Sequence, residues 1–99
     1  MHFTQHIVVE TDDPSALADL LYEWNRDQSA DTPGYVGGRL LSFRDKPRKF
    51  VLEAEFESWE HAQKNNDRPE TQKWAAALKD IVSGEPKYEN LDVVAAFRK

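Results

Sequence analysis

The stretch Phe50–Trp59, FVLEAEFESW, narrows the choice of fold more than any other part of the chain. Phe50, Leu52, Ala54 and Phe56 alternate with Glu53, Glu55 and Glu57, and a period of two marks a strand with one buried face. The strand runs straight into Ser58-Trp59-Glu60-His61, where Ser58 is placed to cap a helix. A strand that feeds a helix across a large aromatic needs a sheet to sit in, and the rest of the chain supplies one.

Phe3–Thr11 reads as the first strand, with Ile7-Val8-Val9 apolar at consecutive positions, so both of its faces are expected to be covered. Asp13 as N-cap and Pro14 at the first helical position start a helix. Leu17, Leu20, Leu21 and Trp24 form its apolar stripe, which predicts a helix over Pro14–Asp27 and a polar loop over Gln28–Thr32. Pro33-Gly34 opens a second strand, Tyr35–Arg44, in which Gly37-Gly38 points to a bulge or a close approach. That bulge leaves open which of Arg39 and Leu40 faces inward. A turn at Asp45–Arg48 leads to the third strand, Lys49–Glu57. The second helix starts at Ser58, falters at Asn65-Asn66 and restarts at Asp67, where Asp67 and Glu70 have capping-box spacing around Pro69. Trp74, Leu78, Ile81 and Val82 carry its stripe to a stop at Gly84, and Tyr88–Phe97 reads as the fourth strand.

The order β-α-β-β-α-β predicts an α+β fold of ferredoxin-like type: a four-stranded antiparallel sheet with its helices on one face. At 99 residues the chain is expected to be one domain, 1–99. The free face of such a sheet should be polar. Strands one and four are instead apolar on both faces, which predicts a homodimer formed through the open sheet face. No apolar run approaches the ~20 residues a membrane helix needs. The N-terminus lacks the pattern of a secretory signal, and zero cysteines fit a cytoplasmic setting. The net charge of −5 argues against nucleic acid as a partner.

These features resemble the dimeric α/β-barrel superfamily, and within it the antibiotic biosynthesis monooxygenase (ABM)-like domain. The residues that carry the resemblance are Pro33-Gly34-Tyr35-x-Gly37, the hairpin Arg44–Lys49, the unit Phe50–Trp59 and the helix restart Arg68-Pro69-Glu70-Thr71-Gln72-x-Trp74. The resemblance covers nearly the whole chain. It implies a dimeric α/β barrel whose paired sheets enclose a pocket on each subunit's free sheet face. It implies activities ranging from cofactor-independent monooxygenation to haem degradation, isomerisation and cyclisation. In the haem-degrading branch an asparagine, a tryptophan and a histidine surround the haem. Here His6 falls near the asparagine's place, and the second helix offers Gln72, Lys73 and Trp74 where the histidine is expected, which disfavours haem chemistry.

The candidate site residues follow. If Ile7 and Val9 face the helices, His6 faces the other way, where an imidazole with an unperturbed pKa of about 6.5 could act as a base or donor; the alternative is a hydrogen-bonded interface histidine. Glu53 and Glu55 are candidate substrate anchors or a salt-bridged rim, with Arg39 as cross-strand partner. Tyr35 beside Gly37-Gly38 is placed to orient a ligand, and Trp59 and Trp74 are candidate walls for an aromatic one. The alternative for both tryptophans is the core. His2, His6 and His61 show no metal-ligand spacing, so no metal is expected, and no cofactor. The expected function is binding of a small molecule, with cofactor-independent monooxygenation of an aromatic or polyketide-like substrate as the enzymatic reading. The alternative is a non-catalytic ligand-binding or stress-related dimer.

Overall fold

The computed structural model describes residues 1–99. Its elements run β1 (Phe3–Glu10), α1 (Pro14–Gln28), a 3-10 turn (Ser29–Asp31), β2 (Tyr35–Phe43), β3 (Lys46–Phe56), α2 (Trp59–Asn66), α3 (Pro69–Ile81) and β4 (Lys87–Asp92). The strands form one antiparallel sheet in the order β2-β3-β1-β4, so the fold is ferredoxin-like with the second helix broken in two.

Both long helices pack on one face of the sheet. Ile7 and Val9 of β1, Phe50 and Leu52 of β3, Leu17 of α1 and Leu78 of α3 form the main core. Leu17 and Leu78 are fully buried and contribute about 1.5–3 kcal/mol each by burial. A second cluster joins Phe3, Phe56 and Ala62, which seats α2 on the same face. The α1 start forms as its residues dictate: Pro14 is the first helical residue, and Asp13 Oδ1 accepts the Ala16 N–H at 3.1 Å. Thr11 closes the layer behind it. Its buried hydroxyl donates to Ile81 O at 2.8 Å and accepts the Asp13 N–H at 3.0 Å, tying β1 to the ends of both α1 and α3.

Three expectations are corrected by the fold, and a question left open is answered. The fourth strand ends at Asp92, not Phe97, because β1 begins at Phe3, the partner of Asp92. One further bond, Val93 N–H to His2 O at 2.8 Å, follows, and then β1 has nothing left to offer. Val94 and Phe97 are therefore 87% and 94% exposed. The Asp67/Glu70 capping box does not form. Asp67 closes α2 in helical conformation, Arg68 is the residue that precedes Pro69, and Glu70 pairs with Arg68 at 3.5 Å. β3 starts at Lys46, so the hairpin turn is only Arg44-Asp45; Pro47 is tolerated because β1 reaches no further than Lys49. Finally, β2 carries its bulge between Tyr35 and Gly37, with Val36 the extra residue. The bulge settles the phase: Tyr35, Gly38 and Leu40 face the helices, and Arg39 and Leu41 face away.

Candidate functional site

A cavity of about 600 Å³ opens between the sheet and the helix pair α1/α3. Its apolar wall comes from Leu21 and Trp24 of α1, Leu40, Leu52 and Phe56 of the sheet, and Trp74 of α3. The stripe that makes α1 amphipathic thus serves two purposes: Leu17 fills the core, and Leu21 and Trp24, one and two turns on, face the space the core leaves open. Trp24, Tyr35 and Phe56 form an edge-to-face chain, with ring centroids 4.8 Å apart for the first pair and 5.7 Å for the second.

Polar groups are few and mostly uncharged. The Tyr35 hydroxyl donates to Asn25 Oδ1 at 3.2 Å and lies over Gly38, where a Cβ would come within 3.0 Å of that hydroxyl and 2.6 Å of the Glu53 carbonyl oxygen. Burial raises the Tyr35 phenol above its ordinary value, against the bond to Asn25, so at neutral pH it stays protonated and acts as a donor. At the α2–α3 bend, Thr71 donates to Asn65 Oδ1 at 3.0 Å and Gln72 Nε2 donates to Asn66 O at 2.6 Å. These four residues line the cavity, so the break in the helix is also what delivers amide groups to it. Arg68 anchors the bend from the other side, its guanidinium bonding Gln28 Oε1 at 2.8 Å and the hydroxyl of buried Thr32.

The other candidates lie elsewhere. His6, Glu53, Glu55 and Arg39 belong to the free face of the sheet. Glu53 Oε1 accepts from Arg39 Nε at 2.7 Å, and its Oε2 contacts His6 Nε2 at 2.9 Å. Glu55 contacts His2 Nδ1 at 2.6 Å. Of this set, Arg39 and Glu53 also reach the cavity wall, where they neutralise each other. His6 and Tyr35 do not converge, because they point to opposite faces. Trp59 packs edge-to-face on Phe3 at 5.0 Å, away from the main cavity, whereas Trp74 lines it. No cluster of three His, Cys, Asp or Glu side chains forms that could hold a metal ion. Sequence reasoning missed Gln5, Asn25, Asn65, Asn66, Thr71 and Gln72. The one signal was the faltering helix at Asn65-Asn66, which marks the bend.

Glu53 makes the free face sensitive to acid. The hydrogen bond from Arg39 is the main cause that lowers its carboxyl below the ordinary value of 4.5, desolvation opposes it, and His6 assists. A carboxylate lowered in the folded state stabilises the protein above its unfolded value and loses that contribution as pH falls through the folded value. Glu53→Gln is therefore expected to cost about 1 kcal/mol at pH 7. It should also flatten the fall in melting temperature on acidification below about pH 4.5; parallel slopes for both proteins would refute the assignment.

No protein-family model and no curated protein matches the chain. Solved structures do. A provisionally named antibiotic biosynthesis monooxygenase from Caulobacter crescentus superposes with a TM-score of 0.81 at 14% identity, over 95% of this chain and 91% of that one. SnoaB, a cofactor-independent oxygenase from Streptomyces nogalater, matches with a TM-score of 0.75 at 17% identity, over 99% and 98% of the two chains. A protein of unknown function from Nitrosomonas europaea, NE2512, matches with a TM-score of 0.74 at 19% identity, over 99% and 94%. At these identities the match is one of architecture: the chain has the ferredoxin-like fold of the solved antibiotic biosynthesis monooxygenase-like proteins.

Proposed function

We propose that this protein binds an aromatic or polyketide-like small molecule between its sheet and helices, and oxygenates it without a cofactor. The observation that carries the reading is the 600 Å³ cavity, walled by aromatic and aliphatic side chains and set with a few oriented polar groups. Its architectural match to SnoaB, a cofactor-independent oxygenase, supports the enzymatic part. The chemistry suits a ring ketone with an acidified CH2 group. Dioxygen converts that carbon to a carbonyl, one oxygen atom entering the product and the other leaving as water, so no external reductant is needed. The protein's contribution would be to hold the substrate enolate in an apolar pocket, with the Tyr35 hydroxyl turning from Asn25 Oδ1 to donate to the enolate oxygen. His6 would act outside the cavity, as part of the interface, and Glu55 with it.

The second reading keeps the cavity and drops the reaction: a non-catalytic ligand-binding dimer. The lining favours it in one respect, since it contains no histidine or lysine and its only ion pair, Arg39–Glu53, is internally neutralised. Anthrone separates the two. Oxygen uptake with anthraquinone formation above the rate of heat-denatured protein is the expected result. Tight binding without turnover would leave only the binding reading, and no binding would sink both.

In either reading the free sheet face pairs with that of a second copy. Val8, Val51 and Leu41 lie half-buried on it and Leu91 of β4 is exposed there, an apolar patch of the kind that marks an interface. No helix of the chain is long and apolar enough to cross a membrane.

A further inference from the structure

The free face of the sheet carries one carboxylate whose only partner is an imidazole. In the register of the strands, Arg39, Glu53, His6 and Glu89 form one row across β2, β3, β1 and β4, and Gly37, Glu55, Thr4 and Leu91 form the next. The first row is balanced by fixed charge. Arg39 holds Glu53, Lys87 approaches Glu89 at 3.6 Å, and His6 adds a hydrogen bond to Glu53 that a neutral ring can make. The second row is not balanced. Gly37 has no side chain, the Thr4 hydroxyl donates to Ala54 O and Leu91 is apolar, so Glu55 has only His2, at 2.6 Å. On the β4 side His2 meets Val93, whose N–H donates to His2 O. At the other end of the face Glu10 stands opposite Lys49. The carboxylates of Glu10, Glu53, Glu55 and Glu89 thus meet the fixed cations of Arg39, Lys49 and Lys87, one fewer, and a proton on His2 supplies the missing charge. Glu57 and the Met1 amino group, opposite in sign, lie just beyond the paired residues.

We propose that pairing of two free faces takes up a proton on His2 of each subunit, so that the dimer of this chain is proton-linked: tight in mild acid and weaker in mild alkali. The proposal rests on the reading that these faces pair. In the single chain the His2 and Glu55 side chains are 49% and 38% exposed, and water screens an unbalanced carboxylate. A partner sheet that covers the exposed Leu91 also covers Glu55, which lies in the same row, and removes that water. A carboxylate buried without a cation is strongly disfavoured, so either His2 binds a proton or the dimer weakens. The sign follows. Association favours the protonated imidazole, so its contribution is present at low pH and is lost as pH rises.

The test is the dimer dissociation constant of the full chain, measured by sedimentation equilibrium at about pH 6 and about pH 8, which span the ordinary titration range of an imidazole. Uptake of one proton per subunit predicts a constant at least about tenfold lower at the acid end. Glu55→Gln removes the odd charge and should give the parent's acid-end constant at both pH values, to within about twofold. His2→Gln keeps the charge and removes the proton carrier, and should give the weaker, alkaline-end constant at both. Leu91→Ala brings a very tight dimer into measurable range without altering any charge, and the same ratio is expected of it. A dimer whose constant ignores pH, or a Glu55→Gln variant that keeps the dependence, overturns the proton linkage and leaves face pairing intact. A chain that is monomeric at both pH values overturns the pairing and the linkage with it.

Discussion

Gly34→Ala is expected to destabilise the protein by about 2–4 kcal/mol, a fall of roughly 10–25 °C in melting temperature for a chain of this size. Two costs combine. Gly34 has φ +80°, a left-handed conformation that any other residue adopts at about 1–2 kcal/mol. In addition, a Cβ there would overlap the His61 ring. The ring cannot swing away freely, because Nδ1 is bonded to the Ser58 hydroxyl at 2.7 Å, and that hydroxyl also caps α2 by accepting the His61 N–H. The Gly34 carbonyl meanwhile accepts the Glu57 N–H at 2.7 Å, which anchors the start of β2 to the end of β3. Gly84→Ala is the internal control: its φ is +73°, but nothing lies within 4 Å of the added methyl. It should show only the conformational cost. Adding His61→Ala to Gly34→Ala should recover the steric part in a double-mutant cycle. Equal losses for Gly34→Ala and Gly84→Ala in thermal melts would show that the histidine contact carries no weight.

The second large effect concerns assembly. Val8→Asp or Leu41→Asp places a carboxylate on the free sheet face, away from the core. In a two-fold interface each change occurs twice. With several kcal/mol for each desolvated, unpaired charge, the dimer constant should weaken by at least ~10³-fold. Light scattering after size exclusion is expected to give a dimer for the parent and a monomer for either variant at micromolar concentration, with little change in far-ultraviolet dichroism. A parent that runs as a monomer, or variants that stay dimeric, would contradict pairing through this face.

Most of the architecture could be read from periodicity because the core obeys it. The stripe Leu17, Leu20, Leu21, Trp24 placed α1 to within one residue of its end, and the alternation in Phe50–Phe56 placed the buried face of β3. Errors arose where an element depends on a neighbour. Val93–Phe97 has strand composition, but a strand needs a partner, and β1 ends first. The Asp67/Glu70 spacing suits a cap, but Pro69 at the first helical position assigns that role to Arg68. The cavity was the least legible feature. Its amides have no periodic signature, and the side chains that suggested chemistry, His6 and Glu55, went to the other face. Tyr35 and Trp74 were legible as large aromatics beside glycines or on an apolar stripe. The unpaired state of the buried Trp74 N–H was not, because it depends on how the helix packs in three dimensions.

The bulge in β2 has a further consequence. From Gly37 to Leu41 the strand reads Gly-Gly-Arg-Leu-Leu. A slip of one residue would keep either a glycine beside Tyr35 or a leucine in the wall, and in both directions it would put Arg39 in the other place. Arg39 therefore decides the alignment: slipped, its guanidinium would be driven toward the apolar side and would leave Glu53 without its partner. An ion pair on one side of the sheet thus acts as the latch that decides which leucine and which glycine shape the cavity on the other.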